Sequence, residues 1–352
     1  MAVAKEGFGK MPDKTEVYKY TLTNRNGVSA SFITLGGVWV SMVVPDKDGR
    51  MADVVLGYDD LESYRRNPAH LGAPIGRNAN RIGGAVITIG GRDYKLAAND
   101  GPNNLHSGPD LYHSRVWDCK AFETEKGSRL DFFLESPDGD QGYPGNARIT
   151  VSYTLTDDNS LVLDYHMVSD KDTVANFTNH SYFNLAGHDS GDVMEQQVWL
   201  NASRYTPADQ QSIPTGDIAP VAGTPMDFTV MKPIGRDIEA DYEALIFGHG
   251  YDHNWVLDHK PGELALAARA MDPASGRVLE AYTDLPGMQF YTANFLKDEI
   301  AGKGGAHYGR RHAFCFETQY YPDAVHKPQF DSPVLKAGEA YKTTTVYKFL
   351  TA

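Results

Sequence analysis

Glu317 lies in Phe-Cys-Phe-Glu-Thr-Gln-Tyr-Tyr-Pro-Asp (314–323), where aromatic residues alternate with other types at a period of two. The pattern predicts a strand with Phe314, Phe316, Thr318 and Tyr320 on one face and Cys315, Glu317 and Gln319 on the other. Glutamate is almost never fully buried unless it is paired. A carboxyl group among bulky aromatics is therefore either a catalytic acid or base or one half of a structural ion pair. Two histidines could work with it. His106 follows a dense set of turn-forming residues in Ala-Asn-Asp-Gly-Pro-Asn-Asn-Leu-His-Ser-Gly (98–108), a loop by composition. Local composition alone favours a ring that satisfies nearby backbone groups. His180 lies in Val-Ala-Asn-Phe-Thr-Asn-His-Ser-Tyr-Phe-Asn-Leu (174–185). On a strand, Asn176, Thr178, His180 and Tyr182 would share one face. That face could offer donors and acceptors to a sugar's hydroxyls, and a solvated sheet face would read the same way.

Four more polar positions stand beside these. Asn80 and Arg81 occur in Gly-Ala-Pro-Ile-Gly-Arg-Asn-Ala-Asn-Arg-Ile (72–82). Arg81 carries fixed donors and a permanent charge, although on an acidic protein Arg77 and Arg81 read equally as surface salt-bridge partners. Asp252, in Gly-Tyr-Asp-His-Asn-Trp (250–255), is an acceptor for hydroxyls or an exposed turn residue. Gln289 shares a strand face with Tyr291 in 286–295. His249 and His253 have helical spacing, but Gly248 and Gly250 break a helix there, so a metal site is not expected. There is no G-x-G-x-x-G, no phosphate-binding G-x-x-x-x-G-K-[ST] and no G-x-S-x-G nucleophile elbow.

The elements that must hold these residues are mostly strands. Gly and Asn/Asp punctuate runs rich in Val, Ile, Thr, Tyr and Phe. Residues 85–96 form a predicted hairpin turning at Gly90-Gly91, and 147–155 pairs with 160–168 across Thr-Asp-Asp-Asn. Helical pattern is confined to 61–66 and to Ile238, Tyr242 and Leu245 ahead of Gly248. No βαβ alternation, repeat or linker appears. The expectation is all-β: one large antiparallel sandwich over residues 1–352, with residues 1–12 as a loose extension. The Gly- and Pro-rich loop 138–145 is expected to be structural. Hydrophobic residues make up 41% of the 352 positions, enough for a full core, and the net charge is −13. That charge argues against nucleic acid and anionic membranes as partners. The two cysteines, Cys119 and Cys315, make no disulfide framework. With no apolar segment long enough for a signal peptide or a membrane span, a cytoplasmic protein is expected. Monomer and homodimer are both compatible with the sequence.

The tail around Glu317, with Gly-Gly-Ala-His-Tyr-Gly-Arg-Arg (304–311) before it and Tyr-Pro-Asp-Ala-Val-His-Lys-Pro-Gln-Phe (321–330) after it, resembles the C-terminal signature of the aldose 1-epimerases, the galactose mutarotases. Asn-Asn-Leu-His-Ser-Gly (103–108) and Asn-His-Ser-Tyr-Phe-Asn-Leu (179–185) resemble the loops bearing the family's first and second active-site histidines. The likeness runs from about Tyr18 to Tyr347, in family order. It implies a galactose mutarotase-like supersandwich that interconverts the α and β anomers of a free aldohexose, glucose or galactose, without cofactor or metal. It further implies Glu317 as base on the anomeric hydroxyl, His180 as acid on the ring oxygen and His106 as a supporting hydrogen-bonding group. Asn80, Arg81, Asp252, Gln289 and Tyr182 would bind the small-molecule sugar. From their usual pKa values, about 4.3 and about 6.5, Glu317 is expected ionised and His180 able to carry charge. Three other readings remain: a hexose-6-phosphate 1-epimerase using Arg65, Arg66 and Arg77, a non-catalytic sugar-binding module, and a glycosidase using Asp252 and Glu317 as opposed carboxylates.

Overall fold

The computed structural model describes residues 2–352 and is an antiparallel β-sandwich with two short helices. Its backbone is a nine-stranded sheet. In spatial order it runs Asp118–Thr124, Gly127–Ser136, Ala147–Thr156, Ser160–Ser169, Ala340–Thr351, Arg277–Thr283, Ala265–Met271, Gln197–Leu200 and Lys232–Pro233. A five-stranded sheet is built from the N-terminal strands, in chain order from Ala2–Lys10 to Met51–Asp53. A second five-stranded sheet contains Asp252–Val256, Gly287–Tyr291 and Cys315–Gln319 side by side. Side chains of all three sheets meet in one core, in which Trp39, Phe132, Tyr153, Trp255, Phe290 and Tyr347 are buried.

Local chemistry made several elements where the sequence placed them. Val86–Ile89 pairs with Arg92–Lys95, and Gly90 and Gly91 supply the positive φ angles, 60° and 78°, that the tight turn needs. Ala147–Thr156 pairs with Ser160–Ser169 over nearly their whole length. The helix Leu61–Arg66 begins where the Asp60 carboxylate accepts the Ser63 N–H at 2.9 Å, which satisfies one otherwise orphaned donor. The second helix, Glu243–Gly248, starts later than the spacing of Ile238 suggested; Ile238 is buried in the loop before it.

Two expectations are corrected. Residues 2–10 are not loose: Ala2–Lys10 pairs antiparallel with Glu16–Thr23, bulging between Gly7 and Gly9. Its few apolar residues anchor it, since Val3 packs on the main core and Phe8 lies 6.1 Å from the Tyr64 ring. Arg77 is not a surface salt-bridge partner but fully buried. Its guanidinium donates to the carbonyls of Ser136, Pro144 and Gly145 at 3.1, 2.8 and 2.9 Å, and to the hydroxyls of Ser136 and Thr173 at 2.8 and 3.2 Å. The charge thus closes the Gly- and Pro-rich loop 138–145 onto the segment that carries Asn80 and Arg81. An Arg77→Met substitution leaves those acceptors buried and unpaired, each costing roughly 1–3 kcal/mol. The expected result is a loss of at least about 3 kcal/mol in denaturant unfolding; a loss under about 1 kcal/mol would contradict this role.

Candidate active site

Three neighbouring strands and two loops build one cavity of about 380 Å³. Strand register does the first part. Gln289 stands directly opposite Asn254 on one side and Glu317 on the other, so these side chains share a face. Asp252 pairs with Tyr291 one step along. The opposite face of the same strands, with Phe290 and Phe316, enters the core. A polar row results: Gln319 donates to Asn254 and Gln289 at 3.1 and 3.2 Å, and Gln289 donates to Asp252 at 2.8 Å. Glu317 is 2% exposed and its carboxyl makes no hydrogen bond among the described residues, so it is left for the cavity.

Backbone strain does the second part. Asn80 and His106 both sit in the left-handed region, at φ 63° and 55°. They clasp each other: the His106 N–H donates to the Asn80 carbonyl at 3.0 Å, and the Asn80 N–H donates to His106 Nδ1 at 3.1 Å. Nδ1 must therefore carry a lone pair, which places the proton of the neutral ring on Nε2. Arg81 is tied through Nε to Asp100 at 2.7 Å, and its terminal nitrogens make no hydrogen bond to the described chain. His180 ends the strand Thr178–His180, which pairs with Ala73–Ile75. That pairing requires glycine at position 72, where φ is +68° and a Cβ would collide with the Trp39 carbonyl oxygen. The His180 ring stacks on Tyr182 at 5.0 Å, its Nδ1 lies 3.6 Å from Cys315 Sγ, and its Nε2 lies 3.7 Å from Glu317 Oε1.

All eight expected residues, Asn80, Arg81, His106, His180, Tyr182, Asp252, Gln289 and Glu317, line this cavity. Asn176 and Thr178 do not. The strand is short, Asn176 turns away to accept the Tyr320 N–H at 2.9 Å, and Thr178 is fully buried. The sequence reading missed His70, Tyr58, Tyr291 and the rim from Phe295 to Ile300. Tyr291 was findable from its strand partner Gln289, whereas nothing in Asn-Pro-Ala-His-Leu-Gly (67–72) marks His70.

The expected charges are corrected as well. Burial pushes the Glu317 carboxyl well above its usual range, and neighbouring Asp252 adds to the shift while Arg81 opposes it. Burial pushes His180 down to about 3, and His70 and His113 nearby reinforce this. His106 is lowered well below its usual range, first by burial and then by its neighbours His180, His70 and Arg81. At 3.7 Å the Glu317–His180 contact is too long for a hydrogen bond, so desolvation outweighs attraction and the neutral pair is favoured. The ligating atoms of His106, His180 and Glu317 lie within 4.8 Å of one another, close enough for a metal ion. The Asn80 N–H on His106 Nδ1 argues against one, because ligation needs a free ring lone pair and the only one is already engaged.

Comparison with known proteins agrees with this geometry. The aldose 1-epimerase family model matches residues 18–348. A galactose mutarotase of Mus musculus is 40% identical over 352 residues, covering 100% of both chains. An aldose 1-epimerase of Escherichia coli (strain K12) is 35% identical, covering 96% of this chain and 97% of its own. Among solved structures, a galactose 1-epimerase from Lactobacillus acidophilus NCFM superposes with a TM-score of 0.87 at 27% identity, covering 100% of this chain and 99% of that one. The chain belongs to the aldose 1-epimerase family.

Proposed function

We propose that this protein interconverts the α and β anomers of free aldohexoses by acid/base-catalysed ring opening and reclosure. The observation that carries the reading is a buried carboxyl and imidazole, 3.7 Å apart, facing a cavity of polar donors and acceptors. The pair holds one mobile proton in either of two arrangements: carboxylate with imidazolium, or carboxylic acid with imidazole. In the first, Glu317 takes the proton of the anomeric hydroxyl. The C1 carbonyl forms as the bond from C1 to the ring oxygen breaks, and His180 gives its proton to that oxygen. The pair is then in the second, neutral arrangement, which burial favours and which accompanies the open-chain aldehyde. Rotation about the C1–C2 bond presents the other carbonyl face, and the same transfers run backwards. Protons and electrons balance among sugar, Glu317 and His180, so no redox partner is called for.

The remaining side chains bind and orient. His106 donates from Nε2–H toward the ring oxygen. Arg81 offers its terminal N–H groups to hydroxyls, and Asp252, held by Gln289, accepts from them. Asn80 holds the His106 tautomer and, with Tyr182, shapes the wall on which the ring and His180 rest. Two of the three arginines that could meet a phosphate are committed elsewhere, and Arg66 is exposed without an ion pair among the described residues. Arg77 is buried away from the cavity, Arg65 pairs with Glu62, and Lys297 at the rim is matched by Glu299 at 3.8 Å.

Three outcomes test this reading. Polarimetry on freshly dissolved α-D-galactose and α-D-glucose should show faster approach to the same final rotation, and glucose should outpace glucose 6-phosphate; no acceleration on either free sugar would refute it. Glu317→Gln and His180→Asn should each lower kcat by roughly 100- to 10,000-fold, and near-full activity in either would remove that residue from its role. The pH profile of kcat/KM reports the free protein. Activity needs the singly protonated pair, which gains a second proton only as His180 charges at about 3 and loses its last as Glu317, raised by burial, ionises. The rate should therefore fall on the acid side only near about 3 and on the alkaline side as Glu317 ionises, whereas a histidine titrating at its ordinary value of about 6.5 would give an acid-side step there.

A further inference from the structure

The cavity holds a histidine that this mechanism does not use. His70 lines it, with its ring centre 5.6 Å from His106, 6.0 Å from His180 and 5.1 Å from His113. Its Nδ1 is buried with no hydrogen-bond partner, whereas its Nε2 makes no bond to the described chain and is not sealed by it. A buried orphan N–H is rarer and costlier than an under-satisfied acceptor. The proton therefore belongs on Nε2, the nitrogen open to the cavity. Burial pushes His70 down to about 4, so the ring is neutral in the working range. His70 is thus a neutral donor facing the sugar's position, beside the two imidazoles assigned to the ring oxygen.

Its place selects the atom it serves. The ring oxygen of an aldohexose has two carbon neighbours, C1 and C5. The C1 hydroxyl belongs to Glu317. The ligating atoms of Glu317, His106 and His180 cluster within 4.8 Å, and His70 lies outside that cluster, with the imidazoles of His106 and His180 on its cavity side and His113 behind it. The substituent left on that side is the hydroxymethyl group on C5. Resting on the mutarotase reading above, we propose that His70 is a specificity-determining residue whose Nε2–H donates to the C6 hydroxyl of the aldohexose. The site would then discriminate sugars that carry that hydroxyl from 6-deoxy sugars and from pentoses.

The test compares D-galactose with 6-deoxy-D-galactose on the wild-type protein and on His70→Phe, which keeps a flat ring against His106 and His113 but removes the donor. The wild type should favour galactose by roughly tenfold in kcat/KM, the size of one net hydrogen bond. His70→Phe should lose roughly that factor on galactose, mostly through KM, and leave 6-deoxygalactose unchanged. Equal losses on both sugars would overturn the assignment, because His70 would then act by packing on His106 and His180. Loss on neither would also overturn it. If the wild type accelerated neither sugar, the mutarotase reading itself would fall, and this assignment with it. Should His70→Phe not fold, His70→Asn, whose shorter amide does not reach the same point, reads the same ratio.

Discussion

Glu317 and His180 are kept out of water at a separation that neither bonds them nor parts them, and the rest of the site follows from that constraint. At about 4 Å, two opposite charges gain on the order of 4 kcal/mol at an effective dielectric constant of about 20. Removing two ions from water costs several kcal/mol each. Burial therefore wins, and the pair rests as acid and imidazole. A sugar changes the balance, because its anomeric hydroxyl donates to a carboxylate and its ring oxygen accepts from an imidazolium. Two protonation arrangements of similar energy, differing only in where one proton sits, are what a reaction made of two proton transfers requires.

Holding such a pair demands rigidity elsewhere, and the scaffold supplies it through buried polar contacts. The facing positions of Asn254, Gln289 and Glu317 are consequences of strand register, which side-chain alternation makes all-or-none. The clasp between Asn80 and His106 holds two residues in the left-handed region and selects one histidine tautomer. Arg77 pins the loop 138–145 behind that clasp with its full set of donors. Asn254 and Arg77, which do not line the cavity, act without touching the sugar. Each removes a motion that would let water reach the carboxyl or let the imidazoles turn.

What could be read from the sequence was what local chemistry determines. The hairpin at Gly90-Gly91 and the helix capped by Asp60 depend on residues within a few positions of one another. Glu317 betrayed itself because a carboxyl amid alternating aromatics has few bland explanations. The pairing of Ala73–Ile75 with Thr178–His180 joins segments about a hundred residues apart, and no local pattern encodes it. His70 comes to the cavity through that same pairing, so it stayed hidden. Arg77 looked exposed because arginine usually is, and the ring of carbonyls that receives it exists only once the loop has folded. The charges of Glu317 and His180 were misjudged for a related reason: composition reports residue types, whereas burial decides their protonation.

The central claim is the neutral resting state of the pair. Infrared difference spectroscopy of the unliganded wild-type protein against Glu317→Gln at neutral pH reads it directly. The account predicts a protonated carboxylic acid band lost in the variant, with no accompanying imidazolium signal assignable to His180. A carboxylate band together with a charged His180 ring would contradict it, and would make the pair a conventional ion pair whose attraction outweighs its burial.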